Sequence, residues 1–293
     1  MDLLDYKLVE EAAKELYIRA LKRIPPDVKE ALKQAHQTET SAMGKDILGI
    51  ILKNIEVAEE SDMLVCQDTG IPVYRVRIGL NVSLDGIKLK EAIRNGVRRA
   101  TLEHPLRSSV CHPITRENPQ TSTGYRIPVI DFDFIPNSDI LELKMMPKGS
   151  GSENMTWLRM LPPAAGISGV KRFVLDTLIE AGANPCPPTI VGVGIGGTAD
   201  LCLKLAKEAL FRPIGSSNHD PVIAEMEQEL LKAINGTGIG PMGLGGDVTA
   251  LAVHIEEAHT HITMNPVAVN IQCWRGERSR ARIYNDGRVE YGY

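Results

Sequence analysis

Seven stretches with helical spacing of apolar residues alternate along the chain with short apolar runs, and the junctions between them are polar and glycine-rich. A chain punctuated in this way folds into helices packed on sheet, so the expected fold class is α/β, with mixed helices and strands and an N-terminal helical region. Leu8, Ala12, Ala13, Leu16 and Ala20 recur at helical spacing, and Pro25-Pro26 restarts a helix over Asp27–His36. A third helix is predicted from Ser41 to Glu59, with Ile47, Leu48, Ile51, Leu52 and Ile55 on one side. Further helices are expected over Leu89–Glu103, Gly169–Ala181 (closed by Gly182), Thr198–Leu210 and Pro221–Ile234. Strands are expected at Met63-Leu64-Val65, Pro72–Leu80, Tyr125–Phe134, Ile140–Met146, Thr189–Val193 and Pro266–Ile271, and Asn285-Asp286-Gly287 reads as a hairpin turn.

The chain has 293 residues, which suits one large domain or two intimate ones, and no internal repeat or low-complexity tract divides it. With 43% apolar and 24% charged residues it can bury a full core. A net charge of −4 and 4% aromatics give nucleic acid neither a basic surface nor a stacking platform. The N-terminal residues lack a charged-then-apolar signal pattern, and no apolar run approaches a membrane span, so a cytoplasmic protein is expected. Thiols stay reduced there. The five cysteines (Cys66, Cys111, Cys186, Cys202 and Cys273) are an odd set with no close pair, so each is packed, reactive or metal-bound.

Four segments carry candidate chemistry. Cys66-Gln67-Asp68-Thr69-Gly70 sets a thiol, an amide, a carboxylate and a hydroxyl together at a strand junction. A turn accounts for Asp68, Thr69 and Gly70, but not for the cysteine and glutamine beside them. Asn184-Pro185-Cys186-Pro187-Pro188 holds one cysteine on a stiff backbone, which suits either a packed connection or a thiolate that binds without reorganising. His254, His259 and His261 fall within eight positions and invite a zinc reading, yet they lack the His-Glu-x-x-His spacing that sets two imidazoles on one helical face. Gly192 to Gly197 matches G-x-G-x-x-G between a strand and a helix. The acidic residue that should follow a second strand some 20 residues on is replaced by Gly215-Ser216-Ser217-Asn218-His219-Asp220. Gly149 to Asn154 is a further anion-friendly loop. Cys202 falls within a predicted helix, while Cys111 in Ser109-Val110-Cys111-His112-Pro113 fits either role.

Four of these segments together, in order along nearly the whole chain, resemble the α subunit of the class I, iron–sulfur fumarate hydratases, a pattern shared with the α subunit of L(+)-tartrate dehydratase. They are Cys66–Gly70, Lys148–Asn154, the Cys186 loop with its glycine turn, and Thr260-His261 through Pro266–Trp274. The resemblance implies a [4Fe–4S] cluster held at strand-end loops by three cysteines, matching Cys66, Cys186 and Cys273. It also implies Asp68 and His261 as catalytic residues. Gln67, Arg107, Gly149, Ser150 and Gly151 match positions that bind the carboxylates of a small dicarboxylate substrate. On this resemblance residues 1–293 form a single fumarase α-type domain, with 1–60 as a helical sub-domain. Single-chain members continue into a β-type domain that this sequence lacks, so a separate β subunit is expected to complete the site, in an α₂β₂ assembly. The resemblance implies a hydro-lyase that reversibly hydrates fumarate to malate, the open iron acting as Lewis acid on the hydroxyl, with L(+)-tartrate in place of malate as the near alternative. A nucleotide site at Gly192–Gly197 and a non-catalytic subunit with packed cysteines are the distant ones.

Overall fold

The computed structural model describes residues 4–104 and 106–293. The first half runs α1 (Tyr6–Lys22), α2 (Pro26–Thr38), α3 (Ala42–Glu60), β1 (Ile71–Gly79), α4 (Gly86–Glu103), β2 (Val129–Ile135) and β3 (Ile140–Lys148). The second half runs α5 (Ser150–Glu153), β4 (Trp157–Leu161), α6 (Gly166–Ala181), β5 (Thr189–Gly196), α7 (Ala199–Ala209) and α8 (Pro221–Asn235). Then follow β6 (Ala250–Ala258), β7 (Asn265–Gln272), β8 (Ser279–Tyr284) and β9 (Val289–Gly292). The α/β class expected from the pattern is what the chain adopts. Two compact units emerge: one from Met1–Pro25, Val57–Gly149 and Glu277–Tyr293, the other from Pro26–Glu56 and Ser150–Gly276. The helical region of residues 1–60 is therefore divided, with α1 in the first unit and α2 in the second.

The first unit is a five-stranded sheet in the order β2-β1-β3-β8-β9, parallel only between β1 and β2. Both α1 and α4 bring apolar stripes to it. Val9, Ala12, Leu16, Leu89, Ile93 and Val97 form one core with Tyr74, Val76, Leu141, Leu143 and Ile283 from the strands. Gly96 lets α4 lie tightly on α1, since a Cβ there would stand 2.4 Å from the Glu10 carbonyl oxygen. At the exposed edge of that pair, Arg99 donates to Glu103 (2.7 Å), Glu10 (3.0 Å) and Glu11 (3.0 Å), and Lys14 also meets Glu103. The Arg99 hydrogen bond, followed by that of Lys14, holds the Glu103 carboxyl at about 2, below its ordinary 4.5. A carboxyl with a depressed folded value stabilises the fold above its unfolded value and loses that contribution as pH falls toward the folded one. Glu103→Gln is thus expected to flatten the loss of stability between pH about 4.5 and about 2 in acid-dependent urea unfolding.

The second unit is a four-stranded sheet in the order β4-β7-β5-β6, parallel between β5 and β6 and antiparallel elsewhere. Successive strand residues face opposite sides. Val191 and Val193 of β5 therefore enter a core with Phe173, Val174, Leu178, Leu230 and Ile234 of α6 and α8. Gly192 and Gly194 face the other way, beneath α7. A Cβ on Gly192 would lie 2.1 Å from the Ala206 carbonyl oxygen, and one on Gly194 would lie 2.0 Å from that of Cys202. These glycines stand inside a strand that extends through Gly196 rather than in a turn after Val193, and close helix packing explains them. The stretch Gly215–Asp220 lies over a partly buried polar knot. Arg212 donates to Glu227 (2.7 Å), whose carboxylate also accepts the Ile255 amide (2.8 Å) and the Asn218 amide (3.0 Å).

Three further departures from the sequence expectation have local causes. Met63-Leu64-Val65 is not a strand, because the Val65 amide bonds to the Leu21 carbonyl at the end of α1 (3.2 Å). β4 is short and interrupted by polar Arg159, so its alternation is hidden. β6 is buried from Ala252 to Ile255 on both faces, and its single histidine disguises an apolar run. Among the described residues no helix is long and apolar enough to cross a membrane.

Candidate functional site

In the first unit the Cys66–Gly70 segment leads into β1 and is fixed at Thr69. That side chain is buried, its hydroxyl donates to the Arg107 carbonyl oxygen, and it also lies 3.0 Å from the Ser109 hydroxyl. The Thr69 carbonyl accepts the phenol of Tyr17, wholly buried in α1, at 3.1 Å. The Leu106–Ser109 segment is anchored in turn by Asn118, which donates to the Ser108 carbonyl (2.9 Å), and by the Ser122 amide, which donates to the Ser108 hydroxyl (3.0 Å). One buried threonine thus brings together the backbone segments carrying Cys66, Gln67, Asp68 and Arg107. Cys66, Gln67 and Arg107 are exposed, Asp68 half-buried. Asp68 accepts the Gly70 amide at 3.0 Å, closing the turn its sequence suggests. Gly70 has a left-handed φ of 64°, and a Cβ there would fall 2.7 Å from the Lys148 backbone, so the turn sits directly on the end of β3 just before Gly149.

In the second unit Ser150 and Gly151 open α5, a single helical turn rather than an open loop. A Cβ on Gly151 would stand 2.7 Å from the Asn184 carbonyl oxygen, which places this turn against the proline-rich loop. In that loop Cys186 is a non-glycine residue with φ 56°, a conformation costing roughly 1–2 kcal/mol for an L-residue. Its amide donates to Ala183 (3.0 Å), and its carbonyl accepts the Trp274 amide (3.2 Å). The loops of Cys186 and Cys273 are thereby joined backbone to backbone. Both thiols are partly exposed. Strain held by surrounding hydrogen bonds at a polar loop marks a candidate functional position.

The histidines separate. His254 is buried mid-strand in β6, while His259 and His261 are exposed beyond its end. His261 accepts the Thr263 amide at Nδ1 (3.2 Å), so in its neutral form the proton is on Nε2, available to donate outward. Its ring bonds to Thr263, and its carbonyl accepts the Met264 amide at 3.0 Å. Cys202 is buried in α7, its thiol 3.2 Å from the Gly194 carbonyl oxygen, and burial pushes it up to about 11. Cys111 lines a cleft of about 490 Å³ with Val110, His112, Pro113, Tyr125 and Ile127.

Within either unit, no three His, Cys, Asp or Glu side chains of the described residues gather into a metal-holding group. Cys66 belongs to the first unit, Cys186 and Cys273 to the second. As donors the three suit an iron–sulfur group: thiols on loops, open to solvent in whole or part, unlike the enclosed Cys202. Sequence reasoning passed over two supporting residues. Asn270, buried in β7, donates to Glu153 (3.1 Å) and Thr156 (2.7 Å), fixing the end of α5. Its signal was a lone amide within the apolar run Val267–Ile271. Glu39, between α2 and α3, had no signal beyond being a carboxylate at a helix junction.

The chain matches the family model for fumarate hydratase (Fumerase) over residues 10–282, a span that runs from α1 into β8 and contains Cys66, Cys186 and Cys273. It is 48% identical over 283 residues to a Methanocaldococcus jannaschii protein provisionally named L(+)-tartrate dehydratase subunit alpha, covering 96% of this chain and 99% of that one. It is 35% identical over 264 residues to L(+)-tartrate dehydratase subunit alpha of Escherichia coli K12 and of Shigella sonnei, covering 90% of this chain and 87% of theirs. With the family pattern running through both units, the chain belongs to the fumarate hydratase (Fumerase) family.

Proposed function

We propose that this chain is the α subunit of an iron–sulfur hydro-lyase that interconverts malate and fumarate by loss and addition of water. The observation that supports it best is the pairing of the Cys186 and Cys273 loops through the Trp274 amide, inside a chain of the fumarate hydratase family. Cys66, Cys186 and Cys273 would hold a [4Fe–4S] cluster through their thiolates. When bound, the cluster supplies a Lewis acid for a hydroxyl that is otherwise a poor leaving group.

The chain's own residues bind and move protons. Arg107, whose carbonyl is held by Thr69, presents a guanidinium suited to bidentate grip of a substrate carboxylate, with the Gln67 amide as a second donor. Gly149, Ser150 and Gly151 contribute small residues near the other carboxylate, and at Gly151 a side chain would crowd the Asn184 backbone. Asp68 holds the proton that accompanies the departing hydroxyl, and removes one from water in the hydration direction. His261 donates from Nε2 to substrate or to Asp68. The base that takes the carbon-bound proton comes from a separate β subunit, paired as α₂β₂ and acting in the cytoplasm.

The names of the relatives favour a second reading, L(+)-tartrate as substrate. Tartrate and malate differ by one hydroxyl, and a site built to hydrogen-bond that group rejects the analogue lacking it by about 10⁴-fold or more. Turnover of both compounds by the anaerobically assembled pair of subunits decides. A kcat/KM preference for malate supports the first reading, and a preference for tartrate replaces it with the second.

A further inference from the structure

Glu39 lies between α2 and α3 with 3% of its surface exposed, and its carboxylate accepts from three backbone amides. It accepts the Asp247 amide at both oxygens (2.9 Å each), the Val248 amide (3.1 Å) and the Ser41 amide (2.9 Å). The attachment is reciprocal, because the Asp247 carboxylate accepts the Thr40 amide (2.9 Å) and hydroxyl (2.6 Å). Gly246, at φ 141°, closes the contact: a Cβ there would stand 2.9 Å from the Glu39 carboxylate. A buried carboxylate satisfied by backbone amides is a strong, directional anchor, since hydrogen bonds to a charged acceptor are about twice as strong as neutral ones.

What it anchors is the glycine-rich segment before β6, which is folded tightly on itself and on the Cys186 loop. A Cβ on Gly240 would fall 2.1 Å from the Gly245 backbone, and one on Gly243 would fall 2.3 Å from the Ala183 Cβ. The Met242 amide donates to the Pro187 carbonyl at 2.7 Å. Ala183 accepts the amide of Cys186, and Pro187 is its next neighbour in the chain, so the segment grips Cys186 from both sides. We propose that Glu39 is a positioning residue for Cys186, holding the Gly240–Asp247 segment so that the strained Cys186 backbone and its bond to Trp274 are maintained. This rests on the reading of Cys186 as a cluster ligand and adds the element that presets it.

Amide hydrogen exchange of the metal-free full chain, read alongside iron content after anaerobic reconstitution, tests this. In Glu39→Gln the Met242 and Trp274 amides are expected to exchange about tenfold faster, with Val191 and Val193 of β5 unchanged. Bound iron should fall in Glu39→Gln and recover in part in Glu39→Asp. Thr40→Ala, which leaves the buried bonds intact and removes only an exposed one, should move the same two amides less and in the same direction. It keeps the test open if Glu39→Gln does not fold. Wild-type exchange at Met242 and Trp274 in a folded variant overturns the inference. So does an equal acceleration across the whole second unit, which would make Glu39 merely structural. Wild-type protein that takes up no iron would sink the functional reading instead, and leaves the exchange result standing by itself.

Discussion

Cys66→Ser, Cys186→Ser and Cys273→Ser are each expected to abolish iron retention after anaerobic reconstitution, whereas Cys111→Ser and Cys202→Ser keep it. The expected wild type is brown, with about four irons per chain, as for a [4Fe–4S] group held by cysteine. Serine preserves shape and loses the soft thiolate that iron prefers, so the loss is chemical rather than a packing defect. The contrast with Cys202 sharpens the result. That thiol is wholly buried under α7 against the Gly194 carbonyl, where iron has no access to it, and burial pushes it up to about 11. Iron retained in any of the three variants removes that cysteine from the ligand set. A colourless wild type removes the cluster from the account entirely.

The second large effect is expected at Gly194. A valine there puts a Cβ 2.0 Å from the Cys202 carbonyl and 2.8 Å from the Ala206 amide, both rigid helix backbone, so α7 must move off the sheet. Overpacking usually costs about 1–3 kcal/mol and more where backbone must shift. Against a typical total of about 5–15 kcal/mol this removes a large share of the stability and lowers the urea midpoint. Gly86 provides the control. It begins α4 with open space where its Cβ would be, and Gly86→Ala should be neutral or stabilising by up to about 1 kcal/mol. Urea midpoints of the two variants measure both. A Gly194→Val chain as stable as wild type would mean that β5 and α7 are less closely apposed than described, and would reopen a ligand role for this glycine run.

These glycines also show why some of the fold was legible in the sequence and some was not. Gly182 ends α6 at φ 52°, and Gly287 turns β8 into β9 at φ 82°. Both are glycines of backbone conformation, whose reason is local and therefore readable. Gly192 and Gly194 are glycines of proximity, whose reason lies eight or more residues away in α7, and a window of local sequence turns them into a loop motif instead. Similarly, Cys66-Gln67-Asp68 advertises itself by composition. The residue that joins it to Arg107 is Thr69, an ordinary turn residue by any local test. Glu39 is further still from legibility, since its partners Asp247 and Val248 are brought to it only by the fold. The three histidines, close in sequence, part in the fold because a strand ends between His254 and His259.

The enclosure of the Cys202 thiol under α7 gives the second unit a chemical clock of its own. A bulky maleimide cannot reach that sulfur while α7 lies on β5, so each labelling event at Cys202, with the four more accessible cysteines replaced by serine, records one departure of the helix from the sheet. Where opening and closing are fast relative to labelling, the rate divided by that of an unfolded thiol is the open fraction itself. Measured at increasing urea, it would follow how this layer loosens before the chain as a whole gives way, with no substrate, cluster or partner required.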